Sequence, residues 1–206
     1  MESTLKGDFD FYNELGEKYP ESKVVYDTPS GKLRLKHIGG MLSSLKGSLL
    51  DVGCNNYVYE PYWNGKGDYI GVDVAKALLL QGNRNGIRSH CYYLPFKDMS
   101  FDVVLCTEVI EHLWQRDKAL GEMRRVLKTG GLMIISAPYR PKRNPSTLIW
   151  SPILEKYSIK KRSYLHGSLT LPQMATLAKQ ANLTILDTKY ISSPGDDHIV
   201  FMLRRL

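Results

Sequence analysis

The stretch Lys46-Gly-Ser-Leu-Leu-Asp-Val-Gly-Cys-Asn-Asn56 decides the fold of this chain. Leu49, Leu50 and Val52 form a short apolar run, which is typical of a buried parallel strand. The run ends in a turn, Asp51 to Asn55, that carries little side-chain bulk. In open α/β sheets, ligands bind at the carboxyl ends of the strands, beside the first strand-to-helix turn. We therefore expect a ligand at this turn.

A second apolar strand is expected at Tyr69 to Asp73, and it ends in an acid. Asp73 lies twenty residues after Gly53. An acid at that distance is placed to accept hydrogen bonds from the hydroxyl groups of a ribose. Together the two strands predict a site for a nucleoside-containing cofactor.

Helices and strands are expected to alternate along the rest of the chain. Three helices are predicted at Phe9 to Lys18, at Lys32 to Lys46 with a stop at Gly47, and at Ala75 to Gln81. A fourth helix has an apolar face and is expected to end at Gly130-Gly131; the face comprises Ala119, Leu120, Met123, Val126 and Leu127. A fifth begins with the capping box Thr170 to Gln173. The later strands are Cys91 to Leu94, Phe101 to Cys106, Leu132 to Ala137, Leu183 to Ile191 and His198 to Leu203. This alternation is typical of a doubly wound parallel sheet. The short link between the last two strands favours an antiparallel hairpin.

Length and composition indicate one α/β domain, because 206 residues at 43% hydrophobic content can bury one core. The longest apolar runs have the length of a strand, so we expect no transmembrane segment. The start Met1-Glu-Ser-Thr4 lacks the basic and apolar character of a signal peptide. Cys54, Cys91 and Cys106 show no metal-ligand spacing, and their odd, low number favours a reducing compartment. We therefore expect a cytoplasmic protein, with Cys91 and Cys106 as buried small hydrophobes.

Five motifs follow one another in order: Leu50-Asp-Val-Gly-Cys54, Ile70-Gly-Val-Asp-Val74, Leu94-Pro-Phe96 with Ser100-Phe-Asp-Val-Val-Leu105, Glu108-Val-Ile-Glu-His-Leu113 and Arg125-Val-Leu-Lys-Thr-Gly-Gly131. Together they resemble the class I S-adenosylmethionine-dependent methyltransferases, specifically the type 11-like subfamily with an L-P-F, F-D-V-V and E-H-L series. The resemblance implies a single Rossmann-like domain over residues 1–206, with a mostly parallel seven-stranded sheet that ends in an antiparallel hairpin. It further implies that the basic insertion at 138–169 lies on the acceptor side. The aromatic-rich residues 1–29 and the helix that follows them separately predict an N-terminal helical cover at 1–46.

The resemblance also implies a cofactor site for S-adenosyl-L-methionine. The implied residues are Asp51, Gly53, Cys54 and Asn55 in the loop, Asp73 at the ribose, Val74, Cys91 and Tyr92 at the adenine, and Thr107 with Glu108 near the methionine moiety and the methyl group. The loop of the family is usually G-x-G-x-G, whereas Gly53, Asn55 and Tyr57 occupy these positions here. Asn tolerates positive φ better than other non-glycine residues, so Asn55 can keep the turn. Tyr57 must point away from the cofactor or occlude it, and His90 stands where many relatives have an acid near the adenine amino group.

His112 and Glu108 are the candidate catalytic residues. Methyl transfer from a sulfonium is an in-line displacement, in which positioning supplies much of the catalysis, and an acceptor with an ionisable hydroxyl also needs a base. His112 is the candidate base, although a histidine in a structural hydrogen bond fits its position equally well. Glu108, Glu111 and His112 have the i, i+3, i+4 spacing of one helical face, which could hold a divalent metal. Because the same letters recur in the subfamily as plain architecture, we expect no metal.

The net charge of +7 is concentrated in one segment of the chain. Between Pro138 and Leu169 lie seven basic residues and one acid, Glu155, so this segment carries +6 of the total. The predicted acceptor-binding residues are Tyr139, Arg140, Lys142, Arg143, Lys160, Lys161 and Arg162. Cations interleaved with aromatic residues suit an anionic acceptor, such as RNA or a nucleotide-linked, lipid or small-molecule substrate. The alternative is a solvated loop that serves only solubility.

Two other functions remain open from the sequence. A nicotinamide-dependent oxidoreductase shares the strand, the turn and the acid, but the lost glycines and the terminal hairpin argue against it. A non-catalytic methyltransferase-like subunit, which supports a partner or binds RNA, would explain Asn55 and Tyr57. The sequence does not identify the methylated atom, since one fold serves many acceptors.

Overall fold

The structure is a computed structural model, and it describes residues 2–18, 26–63, 67–82, 86–139, 146–148, 165–193 and 197–206. The α-helices are α1 (Glu2–Lys18), α2 (Pro29–Ser43), α3 (Lys76–Leu79), α4 (Arg116–Val126) and α5 (Leu171–Gln180), with short 3₁₀ helices at Glu60–Tyr62 and Ile110–His112. The strands are β1 (Leu49–Val52), β2 (Tyr69–Asp73), β3 (Ile87–Arg88), β4 (Phe101–Thr107), β5 (Leu127–Pro138), β6 (Ser146–Leu148), β7 (Leu165–Gly167), β8 (Leu183–Ile191) and β9 (His198–Arg205).

Seven strands form one sheet in the order β3-β2-β1-β4-β5-β9-β8. Strand β1 lies in the middle and pairs in parallel with β2 and β4, with Leu50 opposite Ile70 and Val104. Strand β9 runs antiparallel to both of its neighbours, β5 and β8. The predicted parallel sheet with a terminal hairpin is therefore confirmed. Because β1, β2 and β4 are adjacent and parallel, the residues that follow them meet at one edge of the sheet.

Two apolar clusters cover the two faces of this sheet. Neighbouring residues of β1 divide between them, because successive side chains of a strand point to opposite faces. Leu50 packs in the cluster that contains Leu120 of α4 and Met174 of α5. Leu49 packs in the other cluster, with Ile38 of α2. The sheet is thus covered by helices on both sides, as a mostly parallel sheet requires.

Helix α2 begins three residues earlier than the sequence predicts. Pro29 opens the helix at its first turn, where the missing N–H of proline costs nothing. The side chain of Thr28 caps this end by accepting a hydrogen bond from the backbone N–H of Gly31 at 3.0 Å. The helix ends at Ser43, so Gly47 does not end it; Gly47 lies in the following turn with φ 100°.

The predicted strand from Cys91 to Leu94 is wrong. The backbone turns there, with the N–H of Tyr93 donating to the carbonyl of His90 at 2.9 Å. The N–H of Leu94 donates to the Glu122 carboxylate of α4 at 2.9 Å, not to a neighbouring strand. The third strand in sequence is instead the two-residue β3, which pairs with Val72 and Asp73. Similarly, β5 begins at Leu127, so Gly130-Gly131 lies within a strand and does not close α4.

Within the span of the predicted basic insertion, β6 and β7 pair as a two-stranded antiparallel ribbon in which Leu148 lies opposite Leu165. Strand β7 packs against the 3₁₀ helix Ile110–His112. The predicted acceptor residues Arg140, Lys142, Arg143, Lys160, Lys161 and Arg162 lie outside the described residues. Within the described part of the chain, every helix is too short or too polar to cross a membrane.

Candidate active site

A pocket opens at the sheet edge where β1, β2 and β4 end. It encloses about 870 Å³ of empty space, a volume that includes the solvent at its open mouth. The sequence-predicted residues that line it are Gly53, Asn55, Asp73, Val74, Cys91, Thr107, Glu108 and His112. The structure therefore brings together residues that lie as much as 59 positions apart in the chain, from Gly53 to His112.

The loop after β1 forms the floor of the pocket in a left-handed conformation. Gly53 has φ 75° and Asn55 has φ 53°, so the prediction that Asn55 keeps the turn is confirmed. A Cβ atom on Gly53 would lie 2.2 Å from Cγ2 of Val109, so the packing also demands glycine. The backbone N–H groups of Gly53 and Cys54 donate to the carbonyl of Val72, at 2.8 and 3.1 Å, which ties the loop to β2.

Asp73 ends β2 with its carboxylate in the wall of the pocket. One carboxylate oxygen accepts from the N–H of Asn55 at 2.9 Å and the other from the N–H of Ala75 at 2.8 Å. Burial raises the pKa of Asp73, and these N–H donors oppose that rise. Each carboxylate oxygen has a second lone pair, so Asp73 can still accept hydrogen bonds from the two hydroxyl groups of a ribose. In this respect the residues present fit a nucleoside cofactor.

Three predicted cofactor residues lie behind the pocket wall rather than in it. Asp51 accepts a hydrogen bond from the hydroxyl of Tyr69, and burial raises its pKa to about 7. The thiol of Cys54 contacts the carbonyl of Asn55 at 3.6 Å. The hydroxyl of Tyr92 accepts from the backbone N–H of Gln115 at 3.0 Å. Their side chains support the loop and the wall, and their cofactor-binding role stays a prediction.

Tyr57 does not occlude the pocket. It has φ 65° and its ring is buried on the far side of the loop. Cβ atoms built on Gly71, Gly82 and Gly86 would lie within 2.0 to 2.5 Å of the Tyr57 side chain. Three glycines therefore make the space for this ring, and the pocket stays open beside it.

Glu108 follows β4 in an unusual backbone conformation, with φ 55°. A non-glycine residue in this region is strained, and such strain is often found at functional sites. Its carboxylate accepts from the Ser136 hydroxyl at 2.8 Å and lies 3.0 Å from Nδ1 of His198 and 3.4 Å from a guanidinium nitrogen of Arg34. Burial opposes ionisation of Glu108, but Arg34, His198 and Ser136 outweigh it and lower its pKa to about 2.

Sequence reasoning missed Arg34 and His198. Arg34 is 1% exposed, and with Ile38 and Leu42 it forms the buried stripe of α2 at i, i+4 and i+8. A lone arginine within an apolar stripe was a signal for a buried partner, since buried arginines are paired. His198 is the first residue of β9 and carries no comparable signal in the sequence.

The expected helical face of Glu108, Glu111 and His112 is wrong. Only Ile110–His112 is helical, and Glu108 precedes it in the left-handed region. Glu111 is 1% exposed and turned into the protein, with burial and the nearby charge of Glu108 raising its pKa. The part of the chain that the structure describes contains no group of three or more His, Cys, Asp or Glu side chains that could hold a metal ion. Glu108 and His112 reach the pocket and Glu111 does not.

The N-terminal segment also contributes to the pocket. Tyr12 and Leu15 of α1, with Tyr26, line it, and the ring of Tyr12 lies 6.2 Å from that of His112. The aromatic-rich composition of residues 1–29 was the only signal for this contact in the sequence.

The three cysteines are free and buried, as expected for Cys91 and Cys106. Burial raises the pKa of the Cys91 thiol to about 12 and that of Cys106 well above its ordinary value. A thiol with a raised pKa is a poor nucleophile at neutral pH, because the thiolate is the reactive form.

Comparisons with known proteins agree with this geometry. Residues 50–135 match the family model described as a methyltransferase domain. The chain is 25% identical over 197 residues to a ubiquinone biosynthesis O-methyltransferase of Bordetella avium, covering 86% of this chain and 80% of that protein. It is 37% identical over 135 residues to an uncharacterized protein of Methanocaldococcus jannaschii, covering 61% of this chain and 58% of that protein.

The fold is similar to that of a solved methyltransferase structure. That protein is the 1,6-didemethyltoxoflavin-N1-methyltransferase of Burkholderia thailandensis, with bound S-adenosylhomocysteine, at a TM-score of 0.71 and 17% identity over 96% of this chain and 90% of that one. The family match decides against the nicotinamide oxidoreductase alternative. Residues 50–135 form a methyltransferase domain, and the relatives and the solved structure that resemble the chain support an S-adenosylmethionine-dependent methyltransferase.

Proposed function

We propose that the pocket binds S-adenosylmethionine and that the protein moves its methyl group to an anionic acceptor on the β7 side. One observation supports cofactor binding above all: the Asp73 carboxylate and the glycine turn after β1 line the same pocket and are joined by a hydrogen bond. That geometry suits a ribose beside the carboxyl ends of parallel strands.

The residues of the wall divide into two ends. Val74 and Cys91 lie at the end that the family resemblance gives to adenine, and Thr107 and Glu108 lie at the end for the methionine moiety. With a pKa of about 2, Glu108 stays ionised at neutral pH. An ionised carboxylate is a weak general base, so we assign Glu108 an electrostatic role toward the positive groups of the cofactor.

When bound, S-adenosylmethionine would supply an electrophilic methyl group: a lone pair of the acceptor would form a bond to the methyl carbon as the C–S bond on the opposite side breaks, with its electron pair going to sulfur. The walls of the pocket orient the two reactants, which is the main catalytic task in such a displacement. His112 lines the pocket beside Tyr12 and is our candidate to take the proton of an acceptor hydroxyl.

Charge and the position of the ribbon support an anionic acceptor. The segment between Pro138 and Leu169 carries +6, and β7, close to its end, packs against the 3₁₀ helix that contains His112. Tyr139 is the first predicted acceptor residue, and its ring meets that of Tyr190 at 4.9 Å. An acceptor with phosphate groups, whether RNA, a nucleotide-linked molecule, a lipid or a small molecule, would suit such a surface.

Two further assignments belong to this proposal. We infer that residues 1–46 act as a helical cover of one catalytic domain, because Tyr12, Leu15 and Tyr26 line the pocket. We also infer a cytoplasmic location, because the three cysteines are free and buried.

Calorimetric titration with S-adenosylmethionine and S-adenosylhomocysteine tests the cofactor site. Asp73→Asn keeps the volume of the side chain but loses the charged acceptor, so we expect affinity to fall by about tenfold or more. Asp68→Asn is the control, since Asp68 is an exposed aspartate just before β2. A folded wild-type protein that binds neither compound would contradict the proposal and favour the non-catalytic alternative.

Charge reversal tests the acceptor site. The triple variant Lys160→Glu, Lys161→Glu, Arg162→Glu should weaken binding to phosphate-bearing probes by about tenfold or more, with unchanged affinity for S-adenosylhomocysteine. The probes are single-stranded RNA, pyrophosphate and phosphatidylglycerol vesicles. Reversal of the exposed Lys36, Lys46 and Lys97 is the matched control. If both triple variants bound the phosphate-bearing probes with equal affinity, the result would contradict the anionic-acceptor proposal.

A further inference from the structure

Helix α1 lies outside the residues that the methyltransferase family model matches, yet it reaches the adenine end of the pocket. One carboxylate oxygen of Asp8 lies 3.5 Å from Nε2 of His90. His90 is 6% exposed and lines the pocket beside Ser89 and Cys91. The carboxylate of Asp8 therefore reaches the pocket wall through the ring of His90.

The ring of His90 is fixed in a defined orientation. Its Nδ1 accepts a hydrogen bond from the backbone N–H of Tyr92 at 3.2 Å, so in the neutral ring the proton is on Nε2, which faces Asp8. The ring lies against that of Tyr92 in a tilted arrangement with centroids 4.3 Å apart, and its centroid is 6.2 Å from that of Phe9 in an edge-to-face arrangement. His90 thus joins the wall of the pocket on one side to helix α1 on the other.

Other contacts seat α1 on the same elements. The guanidinium of Arg88 lies 5.0 Å from the centre of the Phe9 ring and donates to the Phe9 carbonyl at 3.4 Å. The side-chain oxygen of Asn13 accepts from the N–H of Ala77 in α3 at 3.1 Å. The side chain of Gln81 donates to the carbonyl of Gly16 at 3.3 Å. Arg88 lies in β3, Ala77 lies in α3 and Gln81 lies just after α3.

Tyr12 and Leu15 present the pocket-facing side of the helix. A molecule in the pocket would therefore contact the Rossmann-like core and α1 at once. Because it would bind better when α1 is docked, it would also favour docking, since such coupling is reciprocal.

We propose that α1 is a working part of the cofactor site: Asp8, through His90, closes the adenine end and couples the docking of α1 to cofactor binding. Asp8 is thus a positioning residue supplied by a helix outside the family domain. The inference rests on the proposed function, because it takes S-adenosylmethionine to be the occupant of the pocket.

The test compares Asp8→Asn with Asp10→Asn, which makes the same change of charge at an exposed position of the same helix. Calorimetry with S-adenosylhomocysteine should show about tenfold weaker binding for Asp8→Asn, from loss of a charge-assisted contact, and wild-type affinity for Asp10→Asn. Hydrogen exchange gives a second readout without any acceptor. The amides of residues 9–18 should be protected by S-adenosylhomocysteine in wild type and in Asp10→Asn, and much less in Asp8→Asn.

His90→Asn completes a double-mutant cycle. Its side-chain oxygen can still accept from the N–H of Tyr92, but it is too short to reach Asp8 as well. If Asp8 acts through His90, the double variant should bind no more weakly than the weaker of the two single variants.

The outcomes separate this inference from the proposed function. The role of Asp8 would be overturned if Asp8→Asn bound S-adenosylhomocysteine with wild-type affinity and showed wild-type protection of residues 9–18. It would also be overturned if the losses of affinity in Asp8→Asn and His90→Asn added fully in the double variant. A wild-type protein that binds no S-adenosylhomocysteine would instead overturn the proposed function.

Discussion

Two buried acids of this protein have pKa values shifted in opposite directions. Burial raises the pKa of Asp51 to about 7, because the hydrogen bond from Tyr69, which lowers the pKa, does not outweigh burial. Glu108 is held at about 2 because Arg34, His198 and Ser136 surround its carboxylate and outweigh its burial. Burial alone therefore does not decide the charge of an acid; its partners do.

Asp51→Asn should change how stability depends on pH. Between about pH 4, where an unfolded aspartate loses its proton, and about pH 7, folded wild type keeps a proton that the unfolded chain has released. Raising the pH through this window therefore lowers the free energy of unfolding of wild type. The variant lacks this group, so its stability relative to wild type should improve by on the order of 3 kcal/mol across the window.

Urea unfolding at several pH values measures this difference. The exposed Asp68→Asn is the control and should follow the wild-type pH profile. A constant difference between Asp51→Asn and wild type from pH 4 to 7 would show that Asp51 ionises normally in the fold.

Residues of the site were predictable when the local chain fixes them. Asp73 and Gly53 follow short buried strands, and Asn55 occupies a turn that requires positive φ, so pattern and spacing identified them. Arg34 and Asp8 approach the site from helices that lie far from it in sequence. No periodicity encodes such long-range pairings, and tertiary packing alone brings them together.

Among the elements, α2 shows how closely helices pack onto this core. A Cβ atom on Gly39 would lie 2.3 Å from Cδ1 of Tyr62, whereas one on Gly40 would meet nothing within 4 Å. Gly39 thus marks the contact between α2 and the 3₁₀ helix Glu60–Tyr62.

Adjacent substitutions in α2 should have opposite effects on stability. Gly39→Ala should lower the free energy of unfolding by about 1–3 kcal/mol, because the Tyr62 ring must move. Gly40→Ala should raise it by about 0.5–1 kcal/mol, because alanine is the better helix former and the site is open. Chemical unfolding of both variants checks this, and equal changes would contradict the packing at Gly39.

The strand prediction failed at Cys91 to Leu94, an apolar run that supports the wall of the pocket. Cys91, Tyr92 and Leu94 are buried like the residues of a strand, but their backbone turns and bonds to α4. Strand β3 has only two residues, both exposed, and so leaves no periodic pattern to detect. Burial alone does not distinguish a strand from a loop that lines a cavity.

For the whole molecule, a cofactor that binds only the folded state should raise thermal stability. At a hundredfold excess over Kd, S-adenosylhomocysteine should stabilise the fold by about 2.7 kcal/mol. For a chain of 206 residues this corresponds to a rise in Tm of about 5–10 °C. NAD at the same concentration should give no shift, which thermal denaturation can check. A shift from NAD equal to that from S-adenosylhomocysteine would contradict the proposed cofactor.

The sheet was predictable as a whole because its signal is repeated. Five motifs, the alternation of strands and helices, and the short last link each pointed to the same topology, and the strand order confirms it. The acceptor was not predictable to the same depth, since net charge indicates the sign of a ligand but not its identity, and one fold serves many acceptors.

The ring of Tyr57 occupies space that three glycines leave free, which links four positions of the chain through a single volume. At Gly82 a Cβ atom would meet only Tyr57, whereas at Gly71 it would also meet Cys54 and at Gly86 also Leu79. Among descendants of one ancestral sequence, residues 57 and 82 should therefore change together, while glycine should persist at 71 and 86 even where Tyr57 is replaced. A side chain gained at 82 would be tolerated only after Tyr57 had been exchanged for a smaller residue, so the order of these two substitutions is constrained.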